Sequence, residues 1–120
     1  MIVSIDRLKP LEKVFLYHLK NLSEMILKEG IVHTPIIADK KSGIVLDGSH
    51  RYIFFLMNGF EEVPVKFVDY SDEHIRVGSR LIHRYLVDGK IEISKKEVLR
   101  RGINGELFPP RTTRHFFPFR

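Results

Sequence analysis

The sequence contains no cysteine, no tryptophan and no glutamine. Without cysteine there are no disulfides, no thiolate metal sites, no iron–sulfur clusters and no cysteine catalysis. The missing glutamine, beside many Lys, Arg and Glu, points to a thermophile. No apolar run approaches the roughly 18 residues a membrane helix needs. The opening stretch MIVSIDRLKP lacks the basic start and long apolar core of a signal peptide, so a cytoplasmic protein is expected. There is no internal repeat and no low-complexity linker. The histidines (His18, His33, His50, His74, His83, His115) form no compact metal signature and no His-Glu-x-x-His pattern, which argues against catalytic zinc.

What is present suits a small globular protein. The 120 residues are enough for one domain spanning 1–120. Hydrophobic residues make up 43% and charged residues 29%, and nine Phe with four Tyr can fill a compact core. The net charge of +5 is unevenly spread. Residues 1–73 carry 9 Lys and Arg against 11 Asp and Glu, and residues 74–120 carry 11 against 4. A basic C-terminal part favours an anionic partner such as a nucleotide, a small acid or a nucleic acid. A solvated basic face is the plainer explanation.

Strand and helix signals alternate along the chain. Ile2 to Ile5 reads as a strand, and Pro10 as the start of a helix. Phe15, Leu19, Leu22, Met25 and Ile26 recur at helical spacing from Val14 to Lys28, with Gly30 as a stop. Pro35 to Ala38 and Ile44 to Leu46 are short β-rich runs joined by the turn Asp39 to Gly43. Asp47 to Arg51 reads as a strand running through a turn into a helix that ends near Asn58-Gly59. Val63 to Tyr70 is a further strand. Asp72 is placed to cap a helix from Glu73 to about Tyr85. Asp88-Gly89 reads as a turn and Ile91 to Ile93 as a brief strand. Ser94 and Glu97 form a capping box for a helix to about Arg101. Leu107 to Arg120, with three prolines, is expected to be irregular. The fold class is therefore a small mixed α/β (α+β) domain.

Three places have the residue types for chemistry. The first is Asp47-Gly48-Ser49-His50-Arg51. A glycine at a strand-to-helix turn lets backbone approach a ligand closely. The helix N-terminus adds outward N–H groups, and Ser49, His50 and Arg51 add donors for phosphate oxygens. Asp47 suits Mg²⁺ or its waters. The competing reading is that Asp47 merely caps the helix and Arg51 pairs with a surface acid. The second place is Pro109-Pro110-Arg111-Thr112-Thr113-Arg114-His115, a stiffened polar segment that Phe116, Phe117, Pro118 and Phe119 can anchor, unless it is a frayed tail. The third is Glu12 in Lys9-Pro10-Leu11-Glu12, ordinarily a surface partner of a helix dipole in a first turn.

These stretches resemble a known family. Asp47-Gly48-Ser49-His50-Arg51-Tyr52 is similar to the Asp-Gly-His-His-Arg-aromatic signature of ParB/sulfiredoxin-fold proteins, with Ser49 replacing the first His. Within that superfamily the likeness is to the archaeal free-serine kinases. Their Lys-Pro-x-Glu is matched by Lys9 to Glu12. Their Pro-Lys-Thr-Thr-Arg-His, then Pro-Phe, is matched by Pro110 to His115 and Pro118-Phe119. The resemblance implies a ParB/sulfiredoxin-like domain whose segment 107–120 completes the site. It implies phosphate transfer from ADP or ATP, with Mg²⁺, to the hydroxyl of free L-serine, giving O-phosphoserine for cysteine biosynthesis. By position, Glu12 resembles the general base and Asp47 the acid that supports metal and phosphates. Gly48, Ser49, His50 and Arg51 resemble the phosphate cradle. Thr112, Thr113, Arg114 and His115 resemble the part that holds the amino acid and the reacting phosphate. An aromatic of the family's amino-acid pocket is replaced near Ser79-Arg80. The alternative is a ParB-like module that binds nucleotide or DNA without kinase activity, although no helix-turn-helix extension is evident. A sulfiredoxin is excluded, since its chemistry needs a cysteine.

Overall fold

The structure is a computed structural model that describes residues 1–14, 20, 35–79, 93–109 and 112–119. The helix read from Val14 to Lys28 and its stop at Gly30 lie almost wholly outside these residues. So do Arg80, the Asp88-Gly89 turn, most of Ile91 to Ile93, Pro110, Arg111, His18, His33 and His83.

A four-stranded sheet has the order β1-β4-β2-β3, built from β1 (Ile2–Ser4), β2 (Ile36–Asp39), β3 (Val45–Asp47) and β4 (Glu62–Val68). β1 and β4 are antiparallel, with Val3 opposite Val63. β2 and β4 are parallel, with Ile36 opposite Val65. β2 and β3 form an antiparallel hairpin whose register shifts between Ile37 and Ala38. Its turn closes as expected, with Gly43 N–H donating to the Asp39 carbonyl.

Alternation along β2 and β3 sends side chains to opposite faces. Ile36, Ala38 and Val45 face one cluster, with Val3, Val63, Val65, Tyr52, Phe54 and Phe55. Ile37, Ile44 and Leu46 face a second, with Leu11, Tyr70, Ile75, Val98, Phe108 and Phe117. Burial on both faces explains why these strands read as unbroken apolar runs. Helix α1 (Ser49–Met57) contributes its buried Tyr52, Phe54 and Phe55 to the first cluster. Helix α2 (Lys95–Asn104) covers the second with Val98, and the Ser94 hydroxyl caps it by accepting from Glu97 N–H. Gly102 lets α2 come close: a Cβ there would stand 2.5 Å from Ile44 Cδ1.

Three expectations are corrected. Residues 76–79 are strand β5 (Arg76–Ser79), not part of a helix from Glu73. Asp72 caps a local turn by accepting from His74 N–H, and Ile75 and Val77 then pack into or against the second cluster. The tail is not irregular: β6 (Thr113–Phe116) pairs antiparallel with β5, Val77 opposite His115 and Gly78 opposite Arg114. The prolines bracket this run and leave its N–H groups available for pairing. Pro10 starts no helix. Lys9 bridges to Ile44 and Glu12 to Phe108. The backbone groups of Lys9, Leu11 and Lys13 are taken by Gly43, Val45 and Phe108, so this stretch is held extended.

Candidate active site

The end of β3 delivers Asp47, and Gly48 turns the chain into α1. Gly48 has φ 99°, in the left-handed region where other residues are strained, and as the N-cap residue it offers the helix no side chain. Gly48 holds the N-cap position itself, and Asp47 stands one residue before it. The first-turn N–H groups beside Ser49, His50 and Arg51 carry the outward polarity of a helix N-terminus. All five residues from Asp47 to Arg51 are half-buried. Arg51 makes no ion pair with any described residue, so the surface-acid reading finds no partner among them.

Glu12, half-buried in its extended segment, reaches the far end of the chain. Its Oε2 accepts from Thr112 N–H at 3.0 Å, Thr113 N–H at 2.7 Å and Thr113 Oγ1 at 2.9 Å. Both threonines are buried, and Thr112 Oγ1 donates back to the Pro109 carbonyl. Three donors converging on one oxygen of a carboxylate make charge-assisted bonds, the stronger kind. The tail is thus clasped rather than frayed.

Along β6 the side chains alternate. Thr113 and His115 point inward, whereas Arg114 and Phe116 are exposed, with the Arg114 guanidinium 5.3 Å from the Phe116 ring centre. His115 packs beside the end of β3. Its Nε2 lies 2.8 Å from the Tyr70 hydroxyl, and its buried Nδ1 has no hydrogen-bond partner among the described residues. Burial holds the His115 pKa down at about 4, against the upward pull of nearby Asp47 and the Leu46 carbonyl. The carbonyl lies close enough to be felt without completing a hydrogen bond to Nδ1.

The geometry therefore gathers Glu12 with Thr112 and Thr113, and His115 with the Leu46-Asp47 end of β3. Arg114 stands apart on the outer face of β6. Tyr70 is the residue that sequence reading missed, having marked it only as a strand end. It is 3% exposed, and burial together with Asp39 raises its pKa. The signal in the sequence was slight: one aromatic inside the polar run Asp69-Tyr70-Ser71-Asp72. A concavity of about 560 Å³ is lined by Lys9, Lys41, Ser42, Tyr70, Leu99 and Ile103 among others, and by none of the site residues named from sequence. Among the described residues no three His, Asp or Glu side chains cluster as a metal site, and no helix is long and apolar enough to cross a membrane.

No family model matches the chain. An ATP-dependent L-serine kinase of Staphylothermus marinus is 36% identical over 81 residues, which cover 64% of this chain and 32% of the kinase. A ParB-like protein of Sulfolobus acidocaldarius is 37% identical over 75 residues, covering 62% of this chain and 37% of that protein. The chain thus matches about a third of the length of these curated relatives. A free serine kinase solved in complex with AMP superposes with a TM-score of 0.82 over 98% of this chain and 87% of that one, at 18% identity. The chain accordingly has the fold of that free serine kinase and is similar in sequence to an ATP-dependent L-serine kinase and to a ParB-like protein.

Proposed function

We propose that this chain is a small-molecule kinase that transfers a phosphoryl group from ADP or ATP to the hydroxyl of free L-serine. The observation that carries the reading is the clasp of Glu12 by Thr112 and Thr113, which joins two separately recognised stretches a hundred positions apart. The sequence likeness to an ATP-dependent L-serine kinase supports it, as does a fold shared with proteins solved with AMP and with ADP.

In this reading Glu12 takes the proton of the serine hydroxyl. The freed oxygen forms a bond to the terminal phosphorus as the bond to the nucleotide's bridging oxygen breaks. ATP then leaves as ADP, or ADP as AMP, and the proton passes from Glu12 to solvent. Phosphoryl transfer asks mainly for positioning and charge compensation, and a placed carboxylate base contributes about 10²–10⁴-fold. The N-terminus of α1, Ser49, His50 and Arg51 bind the phosphates. Thr112, Thr113 and His115 shape the place of the amino acid, with the Glu12 clasp holding that segment against the base.

Asp47 fits a Mg²⁺ ion that arrives with the nucleotide. Such an ion takes only one or two carboxylates besides phosphate oxygens and water, so it does not call for a group of three ligating side chains, and none is found among the described residues. When bound, Mg²⁺ supplies neutralisation of phosphate charge.

The test is a product assay. The protein is incubated with Mg²⁺, L-serine and either ADP or ATP, and O-phosphoserine is sought by mass spectrometry. Product with one donor that falls about a hundredfold or more in Glu12→Gln supports the reading. Glutamine can still accept hydrogen bonds from the clasp, so loss of the base is separated from loss of the fold. Nucleotide binding without product from either donor would sink it.

A further inference from the structure

Tyr70 is fixed on every side. Its backbone N–H donates to the buried Asp39 carboxylate at 3.1 Å. Its ring lies under Lys95 Nζ, 4.8 Å from the centroid, and packs against the His115 ring. The hydroxyl is thereby aimed at a single point, His115 Nε2. The His115 backbone is held in turn by the pairing of β5 with β6.

The two ends of the imidazole give the same answer about its proton. A buried phenol needs an acceptor, and Nε2 is the acceptor the described residues offer it. With the Tyr70 O–H donating, Nε2 must present its lone pair. Besides Tyr70, the polar groups that act on the ring are two acceptors, the Asp47 carboxylate and the Leu46 carbonyl, and one cation, the Lys95 ammonium. A lone pair on Nδ1 would oppose those oxygens, whereas an N–H points its dipole at them. Nδ1 is also shut away from solvent.

We propose that Tyr70 and His115 form a buried positioning dyad. Tyr70 donates to Nε2 and fixes the ring proton on Nδ1, so that His115 ties β6 to the Leu46-Asp47 end of β3 instead of touching substrate through either nitrogen. This refines the kinase reading and rests on it for its consequence, since Asp47 opens the phosphate-binding turn. Tyr70 and His115 are then positioning residues: each acts on chemistry through its neighbour.

The decisive measurement is a long-range ¹⁵N–¹H correlation spectrum of the histidine-labelled protein without substrate. Nδ1 of His115 is expected to be the protonated nitrogen, and Tyr70→Phe is expected to leave a mixture of tautomers. A wild-type ring protonated on Nε2, or a tautomer unchanged by Tyr70→Phe, would overturn the dyad. This readout needs no activity, so it stands apart from the product assay. On the kinetic side, Tyr70→Phe should lower kcat about tenfold to a hundredfold, the range for groups that position a metal-site residue, here Asp47, with little change in nucleotide KM. His115→Asn, whose amide nitrogen can stand near the Nδ1 position, should keep more activity than His115→Gln, whose nitrogen stands near Nε2. The reverse order would count against the proposal.

Discussion

Glu12 shows how one side chain comes to have two duties. Its Oε2 holds two backbone N–H groups and a hydroxyl of the tail, while the proposed reaction asks the same carboxylate for a base. Glu12→Ala removes both at once. Two buried N–H groups then lose their partner, at about 1–3 kcal/mol each and so about 2–6 kcal/mol together, beyond any catalytic loss. Urea denaturation should place Glu12→Ala below wild type by that amount and Glu12→Gln between them. If alanine and wild type unfold at the same midpoint, the clasp contributes nothing to stability. The Glu97 carboxylate offers a contrast. Arg100 and Arg101 hold its pKa down at about 2, but these pairs lie three and four positions from a half-buried Glu97 on one helix and tie no distant parts of the chain together.

At the scale of elements, two glycines decide how parts meet. At Gly48 the positive φ is the constraint, because a Cβ would find Ile36 no nearer than 3.4 Å. Gly48→Ala should therefore cost about 1–2 kcal/mol of backbone strain, and nucleotide affinity by calorimetry should fall as the phosphate turn distorts. An unchanged affinity would remove Gly48 from the cradle. At Gly102 the constraint is space. A Cβ would crowd Ile44 Cδ1 and Cγ1 at 2.5 and 2.6 Å, so Gly102→Ala should destabilise by about 1–3 kcal/mol. Ile44→Val removes Cδ1, and the double variant should be more stable than the two separate costs imply. Strict additivity would mean that α2 and Ile44 do not meet as described.

For the molecule as a whole, acid is the informative variable. His115 has a folded pKa of about 4 against an ordinary 6.5 because it is buried. Between those values the unfolded chain binds a proton that the folded chain does not. The contribution to stability is therefore complete above pH 6.5 and declines as pH falls towards 4, with an upper limit of about 3 kcal/mol. Glu97 begins to matter only below its ordinary 4.5, so the interval from pH 6.5 to 5 isolates the histidine from it. Urea midpoints across that interval should fall in the wild type and fall less in His115→Asn. Equal slopes would show that His115 is not buried as a neutral ring.

Much of this was present in the sequence itself. Local patterns specify local structure: the alternating β2–β3 hairpin, the Gly48 turn, the Ser94 capping box and the three polar motifs all follow from residues a few positions apart. The failures share one cause. Residues 76–79 became a strand because Thr113 to Phe116 lie beside them, and Lys9 to Lys13 stayed extended because Gly43, Val45 and Phe108 take their hydrogen bonds. Neither partner is visible to a window of ten residues. Tyr70 went unread for the same reason, since its meaning depends on a histidine 45 positions away. The sequence by itself determined which groups are available and where the chain turns. Only the tertiary structure decided which of them meet, because long-range backbone pairing and burial outweigh local propensity wherever they compete.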